Sequence, residues 1–381
     1  MKNIVRKFIS VLIIISLIFS LGAMSVSATE DNTITQTDIE QALNSDVCNM
    51  WNAVLDTPEA LGFTDEEVRD AYIGDSFQII RYNDNEAENV DDIVYLPVIS
   101  NQEIIALITL IKYDGTISCS IGKDFAPELS DYLNSSNSQV ALFSESTSIY
   151  GITPSSEVTE VFESPENTAR YARVNEPAVS YSDIAYGNNV VSKEELMDET
   201  YVIPETLTRA ATSYKYLTNF PIVFQGSLPL CWAASSAAII MFEQPSVGQL
   251  YATTVCNTIN HPYTGGTDYD VIDALEAYLP SIYVPTLYSE AMNVNEVQVI
   301  INNIDPAYMH SFCVDEDDED YMDHGTSLCG YAWYGNTFQI RLMDSAYECF
   351  KFSTYNNGVF RFAFGNLQYQ WCSTVRLLYN L

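Results

Sequence analysis

An uncharged apolar run spans residues 8–24, behind Lys2, Arg6 and Lys7, and leaves through Val26-Ser27-Ala28 into polar sequence. A basic start, an apolar middle and small residues at the exit predict a secretory signal peptide over residues 1–28. A membrane anchor would need about 20 apolar residues. The small-residue exit favours cleavage, so the mature protein is expected to be extracellular, with no membrane association after cleavage.

Beyond the leader the spacing of apolar residues predicts helix first and strands afterwards. A helix is expected over residues 39–55, ending before Pro58, and a second starts at Thr64-Asp65-Glu66-Glu67, a capping-box pattern. Short β-rich runs follow at 76–82, 93–100, 103–113 and 117–121, bounded by turn residues. Asp114-Gly115 between the last two is a hairpin signal, because a type I′ turn needs positive φ. A short helix at 125–133 and strands at 140–143 and 158–162 complete a small α+β unit with an antiparallel sheet, over residues 29–163. Residues 164–213 are rich in Ser, Asn, Pro, Glu and Thr and are expected to be a linker, with a protease-sensitive stretch around Arg209.

From residue 214 the order repeats. A run without Pro or Gly begins at Cys231 and predicts a buried helix, Ala being the best helix former. Another apolar stretch lies at 247–255. Capping boxes at Thr267/Asp270 and Asn293/Glu296 predict helices to about 278 and over 294–303. Strands are expected at 307–314, 326–333, 338–343, 350–353, 359–364 and 372–378, with Gly335-Asn336 turning the second into the third. Helices before sheet is an α+β arrangement.

Charge narrows the partners. Formal net charge is −35, and removing the signal peptide's three cations leaves 13 Lys and Arg against 51 Asp and Glu, a net −38. Phosphate backbones would be repelled, so nucleic acid is excluded as a partner. Eight cysteines without a framework spacing are expected to be mostly buried thiols.

Cys231 would open its helix, where unpaired N–H groups and the helix dipole favour a thiolate. Gln225 lies six residues upstream. A base for such a thiol should be an imidazole, and the chain has three His: His261 in a Pro/Gly loop, His310 within a strand and His324 at a strand start. The apolar strand after the hairpin ends in Asp344, which antiparallel pairing could bring beside His324 to orient it.

Gln225 with Cys231-Trp232-Ala233, then His324-Gly325 with Gly330-Tyr331, then Met343-Asp344-Ser345 resembles the active-site segments of papain-like cysteine peptidases, in that order. Thr264-Gly265-Gly266-Thr267 before a helix resembles the secreted bacterial branches, staphopain-like and bacteriocin-processing. Tyr95-Leu96-Pro97-Val98-Ile99 and Ile121-Gly122-Lys123-Asp124-Phe125 resemble the propeptide of staphopain-like enzymes. The resemblance implies a papain-like catalytic domain over 214–381, a propeptide-like α+β domain over 29–163 that blocks its cleft, and a processing site within 164–213. It also implies roles: Cys231 as nucleophile, His324 as base, Asp344 as orienter, Gln225 in the oxyanion hole. The protein is then a secreted cysteine endopeptidase made as a zymogen, without cofactor or metal, acting on protein or peptide substrates; separately, the acidic residues just before His324 would favour cationic ones. The sequence departs from the family where Ala346 and Tyr347 replace the Trp that often follows the orienting segment.

Two other functions fit the same residues: an amidase or transglutaminase-like acyl-transfer enzyme, and a non-catalytic secreted binding protein. The acidic run 315–320 with Asp323 lacks the glycine and distal Glu of an EF-hand and is expected to be a solvated loop. His310, Cys313, His324 and Cys329 are zinc-ligand types without finger spacing.

Overall fold

The computed structural model describes residues 32–83, 86–136, 138–145, 147–163, 180–185, 189–201, 213–314, 323–356 and 359–380. The expected signal peptide, the Arg209 region and the acidic run 315–320 lie outside these residues.

The helix expected over 39–55 is two helices, α1 (Gln36–Leu43) and α2 (Asp46–Asp56). Ser45, at φ −129° and ψ −94°, breaks the helical path between them. Helix α3 (Asp65–Arg69) starts at the expected capping box, where the Thr64 N–H donates to Glu67 at 2.6 Å. Strands β1 (Tyr72–Ile73), β2 (Ile80–Asn83), β3 (Glu86–Glu88), β4 (Ile93–Ser100), β5 (Glu103–Tyr113) and β6 (Thr116–Gly122) follow. Asp114 and Gly115 both take positive φ, 48° and 69°, as a type I′ turn requires. After α4 (Ala126–Ser135) come β7 (Val140–Glu145), β8 (Ser148–Ile152) and β9 (Val158–Phe162).

Part of the stretch read as a linker is built into this region. Residues 180–201 hold α5 (Tyr181–Ile184), β10 (Val190–Val191) and α6 (Lys193–Met197), and β10 pairs with β7. Ile184, Val191 and Leu196 are buried. Each belongs to a short apolar pair, Ile184-Ala185, Val190-Val191 or Leu196-Met197, too short to announce a periodicity.

The remaining elements are β11 (Ser213–Tyr216), α7 (Cys231–Glu243), α8 (Ala252–Ile259), α9 (Asp268–Tyr278), β12 (Tyr283–Tyr288), α10 (Val294–Asn302), β13 (Ala307–Cys313), β14 (His324–Tyr334), β15 (Thr337–Asp344), β16 (Cys349–Asn356), β17 (Val359–Phe364) and β18 (Leu367–Tyr379). Strands β13 to β18 pair in sequence, and β18 pairs back with β13, closing a six-stranded antiparallel barrel. The α+β class expected from the sequence is what the elements form.

Strand β6 continues the barrel sheet outward by pairing with β16, through Gly122↔Lys351, Ile121↔Phe352 and Ser120↔Ser353. One apolar core holds Trp51, Leu96 and Ile108 together with Trp232, Leu275 and Phe352. Three of the scarce cations after residue 213 lie at this seam. Arg341 donates to the Ala60 carbonyl, the Arg361 guanidinium lies 3.1 Å from the Tyr113 ring centroid, and Lys351 meets Asp124 at 2.6 Å.

Candidate active site

Cys231 is the first residue of α7, and Leu230 at the N-cap offers no side-chain acceptor to the first-turn N–H groups. Every residue from Cys231 to Ile240 is buried, as an Ala-rich, uncharged helix requires. Trp232 fixes the helix start, its indole N–H donating to the Thr264 carbonyl at 3.1 Å. One turn on, the Ser235 hydroxyl donates to the Gly325 carbonyl at 3.2 Å, and the Ser327 hydroxyl donates to the Ser235 carbonyl at 3.3 Å. Cys231 lies four residues before Ser235 and so shares its face of the helix, the face turned to the start of β14.

His324 begins β14 and Asp344 ends β15, strands joined by a two-residue turn in which Gly335 takes φ 59°. The pairing Ser327↔Met343 brings the two ends together, and His324 Nε2 donates to Asp344 Oδ1 at 3.0 Å with both side chains fully buried. The imidazole stacks on Phe364 of β17, centroids 4.4 Å apart and planes 6° from parallel. Asp344 Oδ1 also accepts from the Ala346 N–H at 3.1 Å. Its Oδ2 lies 3.1 Å from the ammonium of Lys351, itself buried and 2.6 Å from Asp124. Burial opposes ionisation of Asp344, but the Lys351 ammonium and then the imidazole of His324 hold the carboxyl well below its ordinary range.

Gln225 is buried beside the same turn. Its Oε1 accepts from the Ser345 hydroxyl at 2.9 Å, its backbone N–H donates to the Ser345 carbonyl at 3.2 Å, and Nε2 donates to the Leu228 carbonyl at 3.0 Å. The structure therefore joins His324 to Asp344 and Gln225 to the next residue, and ties the Cys231 helix to the start of β14 through Ser235.

The other two histidines stand apart. His261 Nδ1 bonds the Pro262 carbonyl at 2.6 Å, and the ring meets the Trp232 indole edge to face at 4.8 Å. His310 is held between Asp268 and Asp323, each at 2.9 Å. Burial depresses its pKa, but the two carboxylates more than offset this and raise it to about 9. His310 and His324 bind different carboxylates, and among the described residues no group of three or more His, Cys, Asp or Glu could hold a metal ion. None of the eight cysteines is in a disulfide, and six are buried.

Sequence reasoning missed Ser345 as the anchor of Gln225 and Lys351 as the counter-ion of Asp344. Tyr347 stands where the resemblance expects a Trp, and its ring packs edge to face on Phe364 at 5.4 Å with the Lys351 ammonium 4.5 Å away. A lysine between two phenylalanines in an apolar strand, Phe350-Lys351-Phe352, was the available signal.

No family model matches the sequence, and neither does any curated protein. Among solved structures the chain is similar to digestive procathepsin L 3 of Tenebrio molitor larval midgut, at 11% identity and TM-score 0.26 over 43% of this chain and 71% of that one. At that score the likeness carries no argument. Among the described residues no helix is long and apolar enough to cross a membrane.

Proposed function

We propose that the protein is a secreted zymogen of a papain-like cysteine peptidase that hydrolyses peptide bonds through Cys231, His324 and Asp344. The observation that carries this is the buried His324–Asp344 pair, 3.0 Å apart at adjoining strand ends, beside the Ser345-anchored Gln225. The Asp344 contact uses Nε2, so the thiol proton of Cys231 passes to Nδ1. The thiolate attacks the substrate carbonyl, forming a C–S bond as the carbonyl oxygen takes the electron pair. The Cys231 N–H and Gln225 Nε2 donate to that oxyanion. His324 then gives its proton to the leaving amine, and a water it deprotonates hydrolyses the thioester, releasing acid and thiol. Asp344 keeps the imidazole oriented and offsets its charge.

Latency is supported by access. Cys231 is 4% exposed and His324 is 0% exposed. The β17–β18 hairpin that seats Phe364 on His324 is gripped by the N-terminal region: Tyr95 donates to the Gly365 carbonyl at 2.8 Å, and Asn366 donates to the Ile79 carbonyl at 2.7 Å. Within the papain-like class, the Thr264–Thr267 loop and segments 95–99 and 121–125 support a place in the secreted bacterial branch. No Lys or Arg occurs between Lys215 and Arg341, which supports a preference for cationic substrates.

The test is peptide release from casein after cleavage within 202–212 and digestion of the N-terminal region. The processed wild type should release fragments, with Cys231→Ser inactive. Equal release by both proteins, or none by either, would overturn the proposal.

A further inference from the structure

Lys351 sits mid-strand in β16 with 1% of its surface exposed. Its ammonium lies between Asp344 Oδ2, at 3.1 Å, and Asp124 Oδ1, at 2.6 Å. Asp124 follows β6, the strand whose pairing carries the N-terminal region onto the barrel. Gly122 faces Lys351 in that pairing, and a Cβ there would come within 2.8 Å of the Lys351 Cβ, so only glycine lets the strands close at this point. A buried ammonium is strongly disfavoured without anionic partners. Here it has two, one from each side of the seam.

Resting on the peptidase reading, we infer that Lys351 is a positioning residue for the His324–Asp344 pair, and that Asp124 governs how much of its charge Asp344 receives. With both carboxylates present, one cation is divided between two anions, and Asp344 keeps part of its negative field at His324. That field favours the imidazolium. When Asp124 departs with the N-terminal region, Lys351 is left wholly to Asp344, and the neutral imidazole, the form that accepts a thiol proton, gains. The N-terminal region thus covers the site and also biases its protonation.

Two titratable groups beside Lys351, Cys349 and Tyr347, do not carry this field, and the Tyr369 phenol ring of β18 packs on His324 at 6.1 Å. Burial pushes the Cys349 thiol up to about 12 and, with Asp124 and Asp344 adding to it, the Tyr347 phenol far above its ordinary value, so both are neutral near pH 7. Burial raises Asp124 and its contact with Lys351 opposes that, so the pair shares one coupled proton balance.

The experiment is an NMR titration of the His324 imidazole in the full-length protein, with the other His signals assigned through His261→Gln and His310→Gln. Asp124→Asn, which preserves shape, should lower the His324 midpoint by roughly one unit. Lys351→Met should raise it, and Lys351→Arg should restore the wild-type value. If Lys351→Met does not fold, Asp124→Asn and Lys351→Arg still decide. A midpoint unmoved by Asp124→Asn overturns the inference. The titration needs no catalysis: a shifted midpoint in a protein that never cleaves casein would retain the Asp124–Lys351–Asp344 linkage and reject the peptidase.

Discussion

His310 pairs with Gly325 and His324 with Ser311 in adjoining positions of β13 and β14, so the two imidazoles leave the sheet on opposite sides. On the α9 side, His310 lies between two carboxylates and retains 20% side-chain exposure. On the barrel side, His324 meets Asp344, itself paired with Lys351, and has no exposure. Two carboxylates, Asp268 and Asp323, keep His310 cationic up to about pH 9, which removes it as a base at neutral pH. At His324 the carboxylate is shared with the Lys351 ammonium, 3.1 Å from Asp344 Oδ2. The raised pKa of His310 comes from a surface ion-pair arrangement, which is why a raised pKa alone does not mark a catalytic group.

The largest effect expected from breaking this contrast is at Asp344. Asp344→Ala leaves the buried imidazole N–H of His324 without its carboxylate and takes one of two anions from the buried Lys351, and should cost about 3–5 kcal/mol in chemical denaturation. Asp268→Ala leaves His310 with Asp323 near solvent and should cost about 1 kcal/mol or less. Equal losses would erase the distinction.

Next comes pH. The folded pKa of His310, about 9, stands above its ordinary 6.5. Its contribution to stability is therefore whole below pH 6.5 and lost as pH rises through about 9. His310→Asn should flatten the stability curve over that window. Asp344 has the opposite sign. Its folded pKa is depressed below 3.8, so its contribution stands above that pH and is lost only in stronger acid.

Smaller still is His261→Ala, expected to change stability by about 0.5 kcal/mol or less. A larger loss would mean that its contact with Trp232 helps hold the α7 start.

The places of Cys231, His324 and Asp344 in the fold were legible because each is set by a short-range signal: a helix start for the first, strand ends on either side of a hairpin for the others. Lys351 and Ser345 were not, because their partners Asp124 and Gln225 lie more than 100 residues away and meet only through the β6–β16 seam and the turn after β15. Strand β12 was not expected, since Pro285 argues against a strand; among the described residues β12 pairs only with β18, and an edge tolerates the missing donor. The same seam bears on processing. A core shared by Trp51 and Trp232 should keep the two fragments together after cleavage within 202–212, so they should co-elute in size exclusion until the N-terminal one is digested.

The most direct measurement is labelling with a thiol-directed covalent peptidase inhibitor, mapped by mass spectrometry over all eight cysteines before and after loss of the N-terminal region. The expected result is no label on the full chain, then stoichiometric label on Cys231 alone, abolished by His324→Ala. Label spread over several cysteines, or Cys231 left unmodified in the processed protein, would contradict the assignment of Cys231 as the nucleophile.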